Sequence, residues 1–223
     1  MELQEILETT GTCRFYARES VSDAVLARVL DAARYAPSGG NRHPVRMVAV
    51  RDPEKRRTLA AWYLPLWKAY LKNVRAAAPP DAKVSRLMAN ADHFAEHLAE
   101  VPVLVVVCAV LADLYATDRG LGRLSIVGGA SVYPAVQNLL LKAREEGLGT
   151  ALTTLLCAEE ERVRELLALP AGVVTAALIA MGKPERGFPK RLRRRPLSEV
   201  AFADRYGHSL GASLDERGGS MAI

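Results

Sequence analysis

Two hydrophobic periods alternate along the chain. Val25, Leu26, Val29, Leu30 and Ala33 follow Ser22 at i, i+3, i+4 spacing, which predicts a helix capped by that serine and stopped by Pro37. Glu2 to Thr9 predicts a shorter one. Between Ser131 and Glu146 the residues Val132, Ala135, Val136, Leu139, Leu140 and Ala143 fall on one face, and Gly147 ends the run. Asp52 and Pro53 form a cap and first-turn pair that opens another helix through Trp62, with Pro65 expected to kink or divide it. Asp81 to Glu100 and Glu159 to Leu167 read as two more helices, and Ala76 to Pro80 as a mobile connection. Strands are predicted over Val45 to Val50, Val103 to Ala109, Leu148 to Leu155 and Val173 to Ala180. The second of these is an almost unbroken β-branched run, the pattern of a central strand covered on both faces.

Helices and strands interleave without a strict βαβ rhythm, so the expected class is α+β with a mixed central sheet flanked by helices. Residues 1–206 are expected to form one domain, with 62–80 as a possible lid because both tryptophans, Tyr63 and Tyr70 gather there. The Gly- and Ser-rich residues 207–223 read as a tail or loosely docked extension.

Composition narrows the picture. A chain of 223 residues, half hydrophobic and a quarter charged, can bury one substantial core. A net charge of +5 suits an anionic ligand, yet it is too modest an excess to select nucleic acid. The longest apolar run, Val101 to Ala112, is too short to span a bilayer, and no basic region followed by an apolar core opens the sequence. A cytoplasmic protein without membrane or nucleic-acid partners is therefore expected. Cys13, Cys108 and Cys157 are odd in number and far apart, which permits neither a disulfide framework nor a Cys-x-x-Cys metal site. The thiols are expected to be reduced and two of them packed.

Three segments could present donors to a ligand. In Thr10-Gly11-Thr12-Cys13-Arg14-Phe15-Tyr16, extended backbone would turn Thr10, Thr12, Arg14 and Tyr16 to one side, and the alternative is a surface strand with a solvated arginine. In Ala36-Pro37-Ser38-Gly39-Gly40-Asn41-Arg42-His43-Pro44, two glycines let backbone N–H groups approach a flat or phosphorylated ligand while Ser38 and Asn41 add side-chain bonds. A plain helix C-cap and turn fits the same residues. The run from Lys183 to Arg195 could grip a phosphate through arginines two apart, or form a solvated charged loop or nucleic-acid patch, although no aromatic is interleaved. Finally, His93-Phe94-Ala95-Glu96-His97 fits H-x-x-E-H, the inverted zinc-peptidase signature, but no supporting catalytic pattern follows and the residues read equally as an amphipathic helix surface. No metal is assigned.

The order of these segments resembles the FMN-dependent nitroreductase family of NAD(P)H-dependent flavin oxidoreductases. The likeness runs from about Met1 to about Ala203 and is carried by the T-x-T-x-R-x-Y segment, the APSGGN-R-H-P turn, the valine-rich strand, the YPAVQNLLLKAREEGLGT helix and turn, and the RRRPLSEV ending. The resemblance implies a homodimer with FMN at the subunit interfaces, and electron transfer from NAD(P)H to a nitroaromatic, quinone or similar planar acceptor by a ping-pong route. It implies that Thr12 contacts the flavin and that Arg14 lies near its N1 and C2 carbonyl, where a fixed cation stabilises the charge gained on reduction. It further implies that Ser38, Gly39 and Asn41 reach FMN across the dimer interface, that Leu148 and Gly149 lie against the ring, and that Arg193 and Arg195 grip the phosphate. No side chain is assigned as an obligatory proton donor.

The departures bear on specificity. Thr10 and Gly11 stand where the family begins its first motif with arginine, His43 stands where glutamine is usual, and Val45 replaces an aromatic. No residue from Asp92 to Glu100 stands out as the family's pyrimidine-edge asparagine. Reductive dehalogenation or oxygen-dependent flavin cleavage on the same scaffold, and a non-catalytic flavin- or nucleic-acid-binding module, are the competing readings; residues 62–70 lack an obvious Glu-Tyr-Lys set of the dehalogenating kind.

Overall fold

The computed structural model describes residues 1–77 and 82–210. The chain divides after Lys190 into two compact units. The boundary expected at 206/207 falls inside the second unit; residues 211–223 of the expected tail, and residues 78–80 of the expected connection, lie outside the described residues.

Helices α1 (Leu3–Thr9) and α2 (Asp23–Ala33) open the first unit. Ser22 caps α2 by accepting from the Val25 N–H, as its position before the apolar stripe predicts. Strand β1 (Val45–Val50) leads to α3 (Pro53–Ala77), whose first turn is capped by Asp52 accepting from the Lys55 N–H at 2.8 Å. Pro65 does not divide α3, which runs through it from Pro53 to Ala77. Leu59, Tyr63, Trp67 and Leu71 are buried on both sides of it, and at roughly 1.5–3 kcal/mol per buried large side chain that face outweighs the ~3 kcal/mol a mid-helix proline costs. Helix α4 (Ala82–Glu96) is shorter than expected, because its last stretch tightens into a 3-10 turn over Leu98–Glu100.

Strand β2 (Val103–Val110), helix α5 (Tyr133–Glu145), β3 (Gly149–Thr153), α6 (Glu160–Leu167) and β4 (Val173–Gly182) complete the unit. The sheet order is β1-β2-β4-β3, and every pairing is antiparallel. The α+β class is as expected, but the mixing of strand direction is confined to one isolated parallel bridge, Thr12 to Thr150. β2 is central and buried along its length except at Val110. Its alternate residues feed two cores. Val103, Val105 and Val107 meet Val29, Ala33, Ala135, Val136 and Leu139 of α2 and α5. Leu104, Val106 and Cys108 meet Leu59, Tyr63, Trp67, Phe94 and Leu98 on the opposite face. Only Cys108 of the three thiols is fully buried; Cys13 and Cys157 are partly exposed, and all three are free. No helix among the described residues is long and apolar enough to cross a membrane.

In the second unit, Leu197–Glu199 forms a 3-10 turn and the Phe202 and Tyr206 rings pack at 4.6 Å.

Candidate functional site

The segment from Thr12 to Ala17 runs along the free edge of β3 and onto the chain beyond β4. The Cys13 N–H donates to the Thr150 carbonyl at 2.8 Å, the Ala17 N–H to Lys183 at 2.9 Å, and the Glu185 N–H to Phe15 at 3.0 Å. Close passage needs Gly149, since a Cβ there would stand 2.7 Å from both Cβ and Sγ of Cys13. Tyr16 fastens the turn from inside, its hydroxyl donating to the Cys13 carbonyl at 3.0 Å with that of Ala180 at 3.3 Å. Burial pushes this phenol well above its usual range, so it stays a neutral donor.

The expected four-residue face is therefore split. Thr10 Oγ1 donates to the Ile6 carbonyl and closes α1, and Tyr16 turns inward. Thr12 and Arg14 alone line a cavity of about 320 Å³, together with Tyr63, Trp67 and Tyr70 of α3, Phe94 of α4 and the stretch Ala151 to Leu155. Its volume lies at the lower end of the range for small-molecule sites. Asp92 fixes the indole wall: its Oδ1 accepts from Trp67 Nε1 at 2.9 Å and from Lys68 Nζ at 2.6 Å, while Lys68 also reaches Glu96 at 2.8 Å. Burial raises the Tyr63 phenol above its usual range, with a bond to Thr153 opposing.

Arg14 is partly buried and has no carboxylate partner among the described residues. With Phe94 it also borders a second, more polar cavity of about 360 Å³, to which His93, His97, Arg18, Glu100 and Glu185 contribute. An arginine between an aromatic-walled space and a polar one, with threonine hydroxyls on the aromatic side, suits a flat ligand that has an apolar body and a polar, charge-accepting edge.

The other expected residues lie elsewhere. Leu148 is buried in the core with its N–H on the Ala143 carbonyl, and Gly149 is covered by Cys13; β3 faces the cavity only from Ala151 onward. Ser38 borders a separate cavity of about 350 Å³ with His43, Arg46 and Ser131. There Ser38 Oγ accepts from the His43 N–H and Ser131 Oγ from the Gly39 N–H, both at 3.0 Å, holding a turn in which Gly40, Asn41 and His43 all have positive φ. Two of those three carry a Cβ, and such strain concentrates at functional sites. Gly39 and Asn41 border neither of the cavities that Arg14 lines. Arg193 and Arg195 are exposed in the second unit, where Arg195 lies 3.9 Å from Glu199.

Sequence patterns had marked Tyr63, Trp67 and Tyr70 only as part of a lid; Phe94, Thr153 and Thr154 carried no signal, because tertiary packing alone brings them together. The H-x-x-E-H residues do not form a ligand set. The His93 and His97 rings stack at 4.0 Å, Glu96 is engaged by Lys68, and no group of three or more possible metal ligands occurs among the described residues.

A Nitroreductase family model matches residues 7–183. The chain is 29% identical over 190 residues to a protein of Thermus thermophilus named NADH dehydrogenase, covering 85% of this chain and 89% of that one. It is 30% identical over 191 residues to the 5,6-dimethylbenzimidazole synthase of Rhodospirillum rubrum, covering 84% of each. Among solved structures, a nitroreductase of Desulfovibrio desulfuricans in complex with FMN superposes with a TM-score of 0.67 at 22% identity, over 92% of this chain and 98% of that one.

Proposed function

Because the chain belongs to the nitroreductase family, we propose that it is an FMN-dependent oxidoreductase carrying electrons from NAD(P)H to a planar acceptor such as a nitroaromatic or quinone, donor and acceptor using one site in turn. The observation that carries the reading is Arg14, a partly buried guanidinium with no carboxylate partner among the described residues, at the polar end of an aromatic-walled cavity. FMN, when bound, supplies the redox chemistry. The residues present fit such a group. Arg14 would hold a fixed positive charge toward the edge of such a group where negative charge accumulates on reduction. Thr12, Thr153 and Thr154 offer hydroxyls, and Tyr63, Trp67, Tyr70 and Phe94 exclude water and select flat ligands. Ser38, Gly39 and Asn41 are proposed to contact the cofactor of the partner subunit in a homodimer, which accounts for Ser38 bordering a different cavity of its own chain and for Gly39 and Asn41 bordering neither cavity that Arg14 lines. Arg193 and Arg195 are proposed to hold the phosphate, in place of the arginine missing at Thr10.

Purified protein should be yellow, or become so with added FMN, and should bleach with NADH or NADPH under nitrogen. Protein that takes up no FMN and oxidises neither nucleotide overturns the reading. Arg14→Ala should slow reduction roughly 10²-fold while leaving FMN largely bound, whereas Arg193→Ala should mainly weaken retention; the reverse pattern would reassign the two arginines. The 30% relative supports a second reading, conversion of flavin itself to 5,6-dimethylbenzimidazole. Recovery of intact FMN after aerobic turnover excludes it.

A further inference from the structure

Among the described residues two charged side chains are buried, Asp118 and Arg144, and they are held differently. Asp118 is answered by the Arg123 guanidinium at 2.9 Å. Arg144, in the last turn of α5, has no carboxylate partner among the described residues. Its Nε donates to Thr9 Oγ1 at 3.0 Å, and its guanidinium lies 3.8 Å from the centroid of the Phe188 ring. Thr9 Oγ1 in turn donates to the Glu5 carbonyl at 2.7 Å, which fixes the oxygen that receives Arg144 at the end of α1. A cation taken out of water without a counter-charge is costly, so this hydroxyl and the negative face of the ring are what make the position tolerable.

Phe188 is the one half-buried residue in an otherwise exposed stretch from Glu185 to Lys190. Two residues before it, across Gly187 with its φ of 68°, the Arg186 guanidinium lies 3.3 Å from the centroid of Phe15. Phe15 also stacks on His93 at 4.5 Å and 21°, which begins a column of rings that His97 continues. The two cation contacts land at the two ends of one segment: Phe15 at one end and, through Arg144, Thr9 at the other. Thr12 and Arg14, which border the aromatic-walled cavity, lie between those ends. The chain that runs on to Arg193 and Arg195 is thus stapled twice to the segment that carries them. From Lys190 to Arg195 that chain holds five cations and no acid, and a run of like charges repels itself, so it needs an anchor upstream if it is to act at one place.

We infer that Arg144 and Phe188 are positioning residues for binding of the cofactor's phosphate. With the contact of Arg186 on Phe15, theirs sets where the chain leaves the first unit, and so delivers Arg193 and Arg195 in register with Thr12 and Arg14. Neither residue touches the ligand; both act through the arginines that follow. Anchoring the run in advance removes part of the ordering cost that phosphate binding would otherwise bear. The inference rests on the FMN reading above and on the phosphate role proposed there for Arg193 and Arg195.

The test compares equilibrium binding of FMN and of riboflavin, which has the same rings and ribityl chain but no phosphate, followed by quenching of flavin fluorescence. The unaltered protein should bind FMN at least about tenfold more tightly. Phe188→Leu, which keeps apolar bulk but has no ring face, should weaken FMN binding roughly fivefold and leave riboflavin binding unchanged within about twofold, and Phe188→Trp, which restores a ring, should recover the FMN value. Riboflavin binding serves as the control for folding. Arg144→Met should act like Phe188→Leu, and the double variant should bind FMN no more weakly than either single one, because each removes the same contact. Equal losses for the two flavins in Phe188→Leu, no loss for either, or losses that add in the double variant overturn the inference while the FMN reading stands. Equal affinity of the unaltered protein for both flavins removes the phosphate role of the arginines and the inference with it, and failure to bind either flavin removes the FMN reading as well.

Discussion

The two faces of the sheet are built from the same strands and are put to different uses. On one, α2 and α5 lay aliphatic stripes over Val103, Val105, Val107 and Ile179; the Arg28 to Glu146 pair lies at the rim at 2.7 Å, and the buried Arg144 of α5 is met by Thr9 Oγ1 at 3.0 Å. On the other, α3 and α4 bring Tyr63, Trp67 and Phe94 over Leu104, Val106 and Leu178, and polar groups enter the packing: an indole N–H on Asp92, a lysine between two carboxylates, an arginine between two cavities. The first face packs aliphatic side chains on one another, and the cavity that Ser38 borders lies at its edge, beside Ala33, Val45, Met47 and Ala135. The second leaves space that a ligand could fill. One strand can serve both because alternate side chains point to opposite faces.

That contrast can be broken most forcefully from the closed side. Leu139 is fully buried between α5 and the sheet, and Leu139→Ala should destabilise the fold by about 2–5 kcal/mol, read from the urea midpoint. With FMN in excess, any folded fraction should retain normal bleaching. A variant that keeps its midpoint but loses flavin would show that the faces are not divided as described.

A smaller effect is expected where the open side is anchored. Gly149→Ala places a methyl 2.7 Å from Cys13, and overpacking of this kind should cost about 1–3 kcal/mol and displace Arg14. Removing the opposing Cβ in the double variant Gly149→Ala, Cys13→Gly should recover flavin binding in part. If Gly149→Ala leaves both the midpoint and FMN affinity unchanged, close passage of the Thr12 to Ala17 segment over β3 is not what holds Arg14 in position.

The closed face was legible in the sequence and the open one only in pieces. Helical spacing in α2 and α5 and the β-branched run of β2 specify which residues are inside, because burial and period are one signal there. Strand direction was not legible: an antiparallel sheet whose β2 and β4 are buried on both faces looks, residue by residue, like a parallel one. Division of the helix at Pro65 failed for a related reason, since a local breaker is overridden by the burial of Tyr63 and Trp67, which the local pattern does not weigh. Of the candidate site, Thr12 and Arg14 were legible because extended backbone puts alternate residues on one side. Thr10 and Tyr16 left that face through hydrogen bonds to Ile6 and Cys13 that no spacing reveals. Asp92 and the stacking of His93 on His97 depend on where α4 lies against α3 and Phe15, a tertiary fact.

The mildest test separates the faces by pH. Burial holds the His93 imidazole below its ordinary value, with His97 and Arg186 adding repulsion and Glu185 and Glu96 opposing it. The folded state therefore takes up this proton less readily than the unfolded chain does. The contribution is fully present above the unfolded value, near pH 6.5, and is lost as pH falls through the lower folded value. On the closed face, Glu146 is pushed down to about 2, first by the Arg28 hydrogen bonds, and stays charged throughout that interval. A fall in the urea midpoint between about pH 7 and pH 5 should thus be traceable to the column on the open face. His93→Phe keeps a ring between Phe15 and His97 but has no proton to gain, so the fall should be shallower in that variant. An equally steep fall would place the titrating group elsewhere, and the histidine column would then be a packing feature with no part in the acid response.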